Sequence, residues 1–448
     1  MNLNLKERLN QLNNKDNLDI LNKGGLSLII KIVGLISAFG LSLLLGRTLG
    51  LEEYGLIELS NRIGYFVLIV ALFGMENVVL KEVSIAFDAK NWKHVLDSVY
   101  TTIKLNSLIA FLVIGLIFFL VPYFCNEFFK SVKLISPLRI VLIAVFFQTL
   151  TRSYVAGING VRKIWQANLL SQALALIFVL LVFGIFYFLG MATLVNAAYS
   201  YLIAQVLVFI STFSYWTLIK PKTNQYKKTF QKQFVKPARR LLLSSGSGII
   251  SASSAIIILG IMENPEEVGL FNLASRLAML TLVILEVLNS VMAPKIASLY
   301  AKNKIDELQK LITPIFYFLV FCGIISLLIF VFFGEDLVLL WGSEFRQSYK
   351  YLLIVALGQF VNLSTGAVGV LLVMSNNEKL LSRISVASMV LSIFLNVIFI
   401  SLYGGIGACI ATAILLSVEN IYKVIIIQKK TGVSLVPVFK FSRTKRLS

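Results

Sequence analysis

Twelve apolar stretches constrain the fold of this 448-residue chain more than any other feature. Each is about 20 residues long, which is the length an α-helix needs to cross the hydrocarbon core of a bilayer. A lipid-exposed strand or loop would leave backbone groups unpaired, so each stretch is predicted to be helical. The stretches lie near 26–46, 60–80, 105–124, 138–158, 169–189, 194–219, 241–261, 270–293, 312–333, 351–373, 383–403 and 406–427.

The composition agrees with a membrane protein and leaves no room for a large soluble catalytic domain. The chain is 58% hydrophobic and 14% charged, whereas soluble domains carry roughly 25% charged residues. Its net charge of +19 comes from 41 Lys and Arg against 22 Asp and Glu. Most of these basic residues lie in the tails and in alternate connections, such as 81–104 and 294–311. By the positive-inside rule, both termini are predicted to be cytoplasmic.

An internal duplication divides the twelve predicted spans into two sets of six. At a shift of 214 positions, the block EEYGL at 52–56 falls on EEVGL at 266–270, and Arg62 falls on Arg276. An even number of spans per half makes the halves parallel repeats related by an axis along the membrane normal. Transporters with such repeats bind the substrate between the halves near mid-membrane and alternate its access. We therefore predict a transporter with two six-helix lobes.

The predicted organisation has five parts, and its middle connection is strongly basic. That connection is predicted to be a topological anchor and linker, with binding of anionic lipid headgroups as the alternative. The parts are a cytoplasmic N-terminal segment (1–25), an N-lobe (26–219), a basic cytoplasmic linker (220–240), a C-lobe (241–427) and a basic cytoplasmic tail (428–448).

Four short motifs resemble the polysaccharide-flippase branch of the MATE-like exporter superfamily, also called the multidrug/oligosaccharidyl-lipid/polysaccharide (MOP) superfamily. They are RTLGLEEYGL (47–56), APKIASLYAKN (293–303), VMSNNEK (373–379) and YGGIGACIAT (403–412). The resemblance implies a MATE-like fold and a flippase for undecaprenyl-diphosphate-linked oligosaccharides, either O-antigen or capsule repeat units. It implies transport across the bacterial plasma membrane, in contact with membrane lipids and with other polysaccharide-assembly proteins. An ion-coupled exporter of drugs or cations, and a flippase of another lipid-linked precursor such as lipid II, remain alternatives.

Charged side chains within the predicted spans are candidate site residues, because each costs roughly 3 kcal/mol at mid-bilayer on insertion scales. The basic ones are predicted to line a water-filled cavity that receives a diphosphate, since guanidinium groups bind phosphate oxygens in pairs. Internal ion pairing, such as Arg62 with Glu58, and snorkelling to the interface are the alternatives. These cations are Lys31, Arg62, Arg152 and Arg276.

Three carboxylates within the spans have three open interpretations: coupling-ion ligands, proton carriers, or structural partners of the cations. They are Glu76, Glu286 and Glu419. Coupling to H⁺ or Na⁺ is one of these open interpretations, and no cofactor is expected. The sequence has no GxxxxGK[ST] nucleotide loop, one histidine and three well-separated cysteines. We therefore predict neither catalytic residues nor a metal site, and no nucleic-acid partner.

Overall fold

The computed structural model describes residues 15–221 and 229–435, and this part of the chain is helical, with no β-strand. A π-helical turn (Leu169–Ala173) joins α5 to α6, and single 3-10 turns precede α4, α8 and α12. The α-helices are α1 (Lys15–Leu72), α2 (Met75–Asp88), α3 (Trp92–Glu127), α4 (Ile135–Gly160), α5 (Ile164–Asn168), α6 (Leu174–Phe188), α7 (Leu194–Ile219), α8 (Val235–Met262), α9 (Pro265–Met279), α10 (Leu282–Ala301), α11 (Ile305–Leu339), α12 (Ser348–Thr365), α13 (Val368–Met374) and α14 (Glu378–Thr431).

Nine helices of the described residues are long and apolar enough to cross a membrane, or ten if a pair bent by 45° counts as one span. Two of them, Gly25–Leu72 and Glu378–Thr431, have 48 and 54 residues, whereas one crossing needs about 20. Each contains one glycine with non-helical backbone angles, Gly50 (φ 72°) and Gly404 (φ 57°). The all-α, multi-pass architecture is confirmed, whereas twelve helices in two symmetric lobes stay a prediction.

Three predicted spans are interrupted, which the apolar pattern does not reveal. The span at 60–80 breaks at Phe73 and Gly74, both with positive φ, and the span at 351–373 breaks at Gly366 (φ 68°). The span at 270–293 breaks between α9 and α10. Hydropathy is nearly unchanged across such breaks, because one or two residues suffice to turn the backbone. In membrane proteins, backbone groups freed in this way are found against protein or against a cavity.

One compact unit comprises the chain up to Thr48 together with Val67–Pro122 and Ile135–Leu242. Its apolar core packs α2, α4 and α7 around fully buried side chains such as Met75, Ile158 and Trp216. Trp216 lies beside Gly157, where a Cβ atom would come within 2.6 Å of a methyl carbon of Val99.

The second compact unit comprises Leu49–Phe66, Tyr123–Leu134 and the chain from Leu243 onward. It therefore includes two segments that the duplication assigns to the first half. Its main core packs α10, α11, α13 and α14 against one another through buried aliphatic residues such as Ile296, Leu371 and Ile427. The predicted parts at 1–25, 220–240 and 428–448 lie partly outside the described residues, at 1–14, 222–228 and 436–448.

Candidate functional site

Two repeated segments cross each other within the second unit, and glycine permits their contact. They are the part of α1 around Gly55 and the start of α9, which we call the repeat crossing. A Cβ atom on Gly55 would lie 1.8 Å from the carbonyl oxygen of Pro265 and 3.1 Å from the backbone nitrogen of Gly269. A Cβ atom on Gly269 would in turn lie 2.9 Å from the carbonyl oxygen of Leu51. The glycine of each EExGL block is thus explained by direct contact between backbones.

An ion pair with a buried carboxylate lies one turn beyond Gly55 on α1 and two turns beyond Gly269 on α9. The Arg276 guanidinium donates to the Glu58 carboxylate, with 2.9 Å between Nη2 and Oε1. Glu58 is only 3% exposed, whereas the Arg276 side chain is 26% exposed. The carboxylate is therefore almost entirely withdrawn from solvent, and it depends on its partners for stabilisation.

Arg62, the repeat equivalent of Arg276, has a neutral partner at the repeat crossing. Arg62 donates to Asn272, with 3.5 Å between Nη2 and Oδ1, and Asn272 donates to the Tyr54 hydroxyl over 3.1 Å. Asn272 occupies the position of Glu58 at the repeat shift of 214. The crossing therefore has arginines at equivalent positions of the repeat, of which one faces a carboxylate and the other an amide. These two arginines, with Glu58, leave one positive charge in excess.

This geometry corrects the expected partner of Arg62. Spacing of four residues along a helix favours a pair between Glu58 and Arg62, but Glu58 instead pairs with Arg276 from the other repeat. The reason is the close approach at Gly55, which brings α9 within reach of the carboxylate. Sequence reasoning placed Arg62 and Arg276 at equivalent positions and missed that each arginine contacts the other repeat.

One glutamate of each EExGL block has a structural partner. Glu52 receives a hydrogen bond from Lys133 over 2.9 Å, and Glu267 receives one from the Tyr351 hydroxyl over 2.5 Å. Glu344 accepts from the backbone N–H of Leu51 over 2.9 Å, where α1 resumes after Gly50. These contacts fasten the repeat crossing to neighbouring helices, and the sequence contained no spacing signal for any of them.

Arg152 has a partner that its own helix does not supply. Its guanidinium lies 4.0 Å from the carboxylate of Glu76, and both side chains are about one-third exposed (33% and 35%). Glu76 lies in the first turn of α2, directly after the break at Gly74, a position that favours a negative charge. Next to Arg152, the Ser153 hydroxyl accepts from Asn106 inside the core over 3.0 Å. The structure thus joins a predicted cation to a predicted carboxylate within the first unit.

The remaining predicted residues lie in different surroundings. Lys31 is exposed on α1 in the first unit, and Glu286 is exposed on α10 in the second. Glu419 forms an ion pair with Lys423 one turn further along α14, and both side chains are largely buried. Lys423 lies inside the predicted span at 406–427, and sequence reasoning overlooked it as an intramembrane cation.

A cavity of ≈ 450 Å³ adjoins this ion pair in the second unit. Its polar wall consists of Lys423 and three amide side chains, those of Asn289, Asn362 and Asn420. The side-chain Oδ1 of Asn289 is buried and has no hydrogen-bond partner in the part of the chain that the structure describes. The cavity borders the helix break at Gly366 and is otherwise apolar. Amides and an ammonium group can hydrogen-bond to hydroxyl or anionic groups.

Metal binding has little support in these surroundings. Residues 15–221 and 229–435 contain no cluster of three or more His, Cys, Asp or Glu side chains that could hold a metal ion. The intramembrane carboxylates are instead distributed singly, each beside different helices.

Sequence comparison finds two family models that match this chain. The model described as "Polysaccharide biosynthesis protein" matches residues 20–300, and the model MatE matches residues 244–398. A protein of Haloferax volcanii, "Probable low-salt glycan biosynthesis flippase", is 28% identical over 215 residues. That alignment covers 46% of this chain and 44% of the relative, so it spans less than half of the relative's length. The Staphylococcus aureus "Capsular polysaccharide biosynthesis protein CapF" is 22% identical over 317 residues, covering 65% of this chain and 79% of the relative.

Structural comparison shows a MATE-like fold. An inward-facing multidrug resistance MATE family transporter of the MOP superfamily superposes with a TM-score of 0.74 at 15% identity, covering 91% of this chain and 98% of that one. The lipid II flippase MurJ in its inward closed conformation gives a TM-score of 0.67 at 18% identity, covering 91% and 87%. At these identities the likeness concerns the fold.

Proposed function

This chain belongs to the polysaccharide biosynthesis protein family of the MOP superfamily, and we propose that it is a flippase for a lipid-linked glycan. The family and the MATE-like fold are those of a multi-pass membrane transporter rather than of an enzyme. The names of the two relatives, one a glycan biosynthesis flippase and one a capsular polysaccharide biosynthesis protein, support a glycan substrate. In our proposal the substrate is an undecaprenyl-diphosphate-linked O-antigen or capsule repeat unit. It moves to the outer leaflet of the bacterial plasma membrane, and both termini are cytoplasmic.

The observation that carries the proposal is the ionic contact at the repeat crossing. Apolar packing alone would suffice to hold two helices together, yet this crossing contains two arginines and one buried carboxylate. In our proposal this contact opens in one state of an alternating-access cycle and reforms in the other. Separation of the crossing would release Arg276 from Glu58 and leave both arginines in need of an anion.

A diphosphate is the anion that fits this requirement. Arginine stays charged and presents parallel N–H groups that bind two phosphate oxygens at once. The substrate diphosphate would replace the Glu58 carboxylate at Arg276, while Arg62, whose partner is a neutral amide, would be the easier of the two to recruit. A cationic drug is disfavoured at the two guanidinium groups themselves, because like charges repel.

Within the first unit we propose that Lys31 and Arg152 hold the diphosphate at another stage of the cycle. Glu76 competes for Arg152 at 4.0 Å, and it remains one-third exposed. Protonation of Glu76, or its binding of Na⁺, would free Arg152 for phosphate and so couple the cycle to an ion gradient. Glu286 and Glu419 are further candidates for this coupling.

The proposed topology has twelve spans in two six-helix lobes. It is supported by the lengths of α1 and α14, each of which exceeds twice the length needed for one crossing. Their non-helical glycines, Gly50 and Gly404, lie between the predicted spans of each helix. Counting each of these helices as two crossings raises the total of ten to twelve.

The test is a double-mutant cycle on transport in reconstituted vesicles. The substrate is a fluorescent polyprenyl-diphosphate disaccharide, whose leaflet exchange is followed by quenching from outside. Arg62→Ala and Arg276→Ala should each slow exchange markedly, and the double variant should be little slower than the slower single variant. This follows because two groups that act on one phosphate are not additive. Arg346→Ala is the matched control, since its exposed pair with Glu335 lies in the same unit.

Two results would contradict the proposal. Strictly additive effects of the two substitutions on the transport rate would indicate that the two arginines have independent structural roles. Transport of a fluorescent cation by the wild-type protein, with no exchange of the lipid diphosphate, would favour the exporter alternative. Each comparison is made at matched protein abundance and at a temperature well below the unfolding transition of the least stable variant.

A further inference from the structure

We propose that the start of α8 carries a binding site for the phosphate of an anionic membrane phospholipid. The site is a surface cavity of ≈ 490 Å³ in the first unit, lined by Gln233, Lys236, Pro237, Arg240 and Leu241. This inference is independent of the proposed glycan transport, because it concerns a different element and a different assay.

The segment that carries this cavity is fixed to the first unit. The Asp97 carboxylate accepts a hydrogen bond from the backbone N–H of Thr229 over 2.7 Å, and the Thr101 hydroxyl accepts one from the N–H of Gln231 over 2.9 Å. Phe234 and Ala238 are buried in the core. The part of the basic connection from Thr229 onward is therefore a folded part of the first unit, and it presents its cations from a rigid helix.

Close backbone contact holds the same helix on the neighbouring break. A Cβ atom on Gly74 would lie 2.4 Å from the carbonyl oxygen of Ala238 and 2.9 Å from the backbone nitrogen of Leu242. Gly74 has a φ of +73° at the junction of α1 and α2. A ligand bound to the exposed face of α8 would therefore contact the helix that packs over the break at Gly74.

The polar groups that line the cavity can donate hydrogen bonds, and its charged groups are all positive. Lys236 offers an ammonium group, Arg240 a guanidinium and Gln233 an amide N–H₂. All three residues are exposed, and neither cation forms an ion pair within residues 15–221 and 229–435. From Thr229 to Leu242 the sequence contains four basic residues and no acidic one. Such a set of donors matches the oxygens of a phosphate group.

The depth of the cations favours a phospholipid over a soluble phosphate. The segment Lys232–Leu242 is bent by 45° from the apolar helix Gly246–Met262, which is long enough to enter the membrane. Arg240 and Lys236 precede the predicted span at 241–261 by one and five residues, or about 1.5 and 7.5 Å along a helix. A headgroup layer is about 5–8 Å thick per leaflet, so both cations are expected at headgroup depth. Leu241 supplies an apolar wall on the side of the cavity nearest the membrane-spanning helix.

Two double variants with the same change of charge test the site. The first, Lys236→Gln with Arg240→Gln, removes the cations that line the cavity. The second, Lys232→Gln with Arg239→Gln, removes two exposed cations of the same segment that do not line it. All four residues are exposed, so both variants should fold, which is checked by thermal unfolding. Full-length protein in a non-ionic detergent is titrated with short-chain phosphatidylglycerol, and binding is measured by native mass spectrometry.

The cavity variant should bind phosphatidylglycerol about 25-fold more weakly, because each lost hydrogen bond to the phosphate is expected to cost about 5-fold. The matched control variant, whose cations do not line the cavity, should lose less than about 3-fold, because salt screens charges that do not contact the ligand. Short-chain phosphatidylcholine, which has no net charge, should bind weakly to all three proteins.

Three outcomes would overturn the proposal. Equal losses in the two double variants would indicate a diffuse basic patch rather than a site. Unchanged phosphatidylglycerol binding in the cavity variant would show that the cavity is not a lipid-binding site. A larger loss of pyrophosphate or short-chain polyprenyl-diphosphate binding than of phosphatidylglycerol binding in the cavity variant would assign the cavity to a ligand other than a phospholipid. None of these outcomes bears on the transport cycle at Arg62 and Arg276.

Discussion

The two arginines of the repeat crossing should differ sharply in their contribution to stability, although the duplication makes them equivalent. Arg276→Ala would leave the Glu58 carboxylate, 3% exposed, without the guanidinium that lies 2.9 Å away. Removing one partner of a buried pair costs about 3–5 kcal/mol. Because the Arg276 side chain is 26% exposed, we expect the lower end of this range, about 3 kcal/mol. Solvent at Arg276 weakens the pair.

Arg62→Ala should cost far less. Its 3.5 Å contact with a neutral amide is at the outer limit of a hydrogen bond, and such a bond contributes about 1 kcal/mol or less. Glu58→Gln combined with Arg276→Ala should recover most of the loss caused by Arg276→Ala alone, since no buried charge is then left unpaired. The expected coupling energy between Glu58 and Arg276 is about 2 kcal/mol.

The assay is reversible unfolding in mixed detergent micelles, with the free energy compared at equal denaturant slopes. Arg346→Ala is the control, because its pair with Glu335 is exposed at 72% and 40% and should contribute less than about 1 kcal/mol. Equal losses for Arg62→Ala and Arg276→Ala would refute the reasoning. So would the absence of any recovery when Glu58→Gln is added to Arg276→Ala.

Two further predictions concern topology and the first unit. Reporter fusions after Lys228 and after Glu266 should report opposite sides of the membrane. Lys228 itself lies outside the described residues. Reporters on the same side at both positions would contradict the predicted number of spans. Arg152→Ala should insert normally and abolish glycan export in cells, and Arg152→Lys should restore only part of it, because a point charge does not reproduce a bidentate fork. Full export by Arg152→Ala at normal abundance would exclude Arg152 from the substrate site.

Much of the fold could be predicted from the sequence because membrane insertion obeys simple physical limits. Apolar length and the need to pair every backbone group identify helices regardless of their neighbours. The duplication likewise placed Gly55 and Gly269 at equivalent positions. That the two glycines lie in direct contact was shown only by the structure.

The partners of the charged residues were decided by tertiary structure. Spacing along a helix favours an ion pair between Glu58 and Arg62. Because α9 approaches α1, Glu58 instead pairs with Arg276, and Arg62 donates a hydrogen bond to Asn272. The pairing of Arg152 with Glu76 depends in the same way on how α2 resumes after its break. Periodicity describes only the faces of one helix, whereas an ion pair needs the positions of two.

The helix breaks and the cavities also could not be predicted from the sequence. A turn at Gly366 changes the backbone at one residue without changing the hydropathy of the span, and the cavity beside it gathers Asn289, Asn362 and Lys423 from three helices. Hydropathy averages over about 20 residues, so it determines which segments enter the membrane. The arrangement of polar groups inside is determined by packing between segments that are distant in the chain.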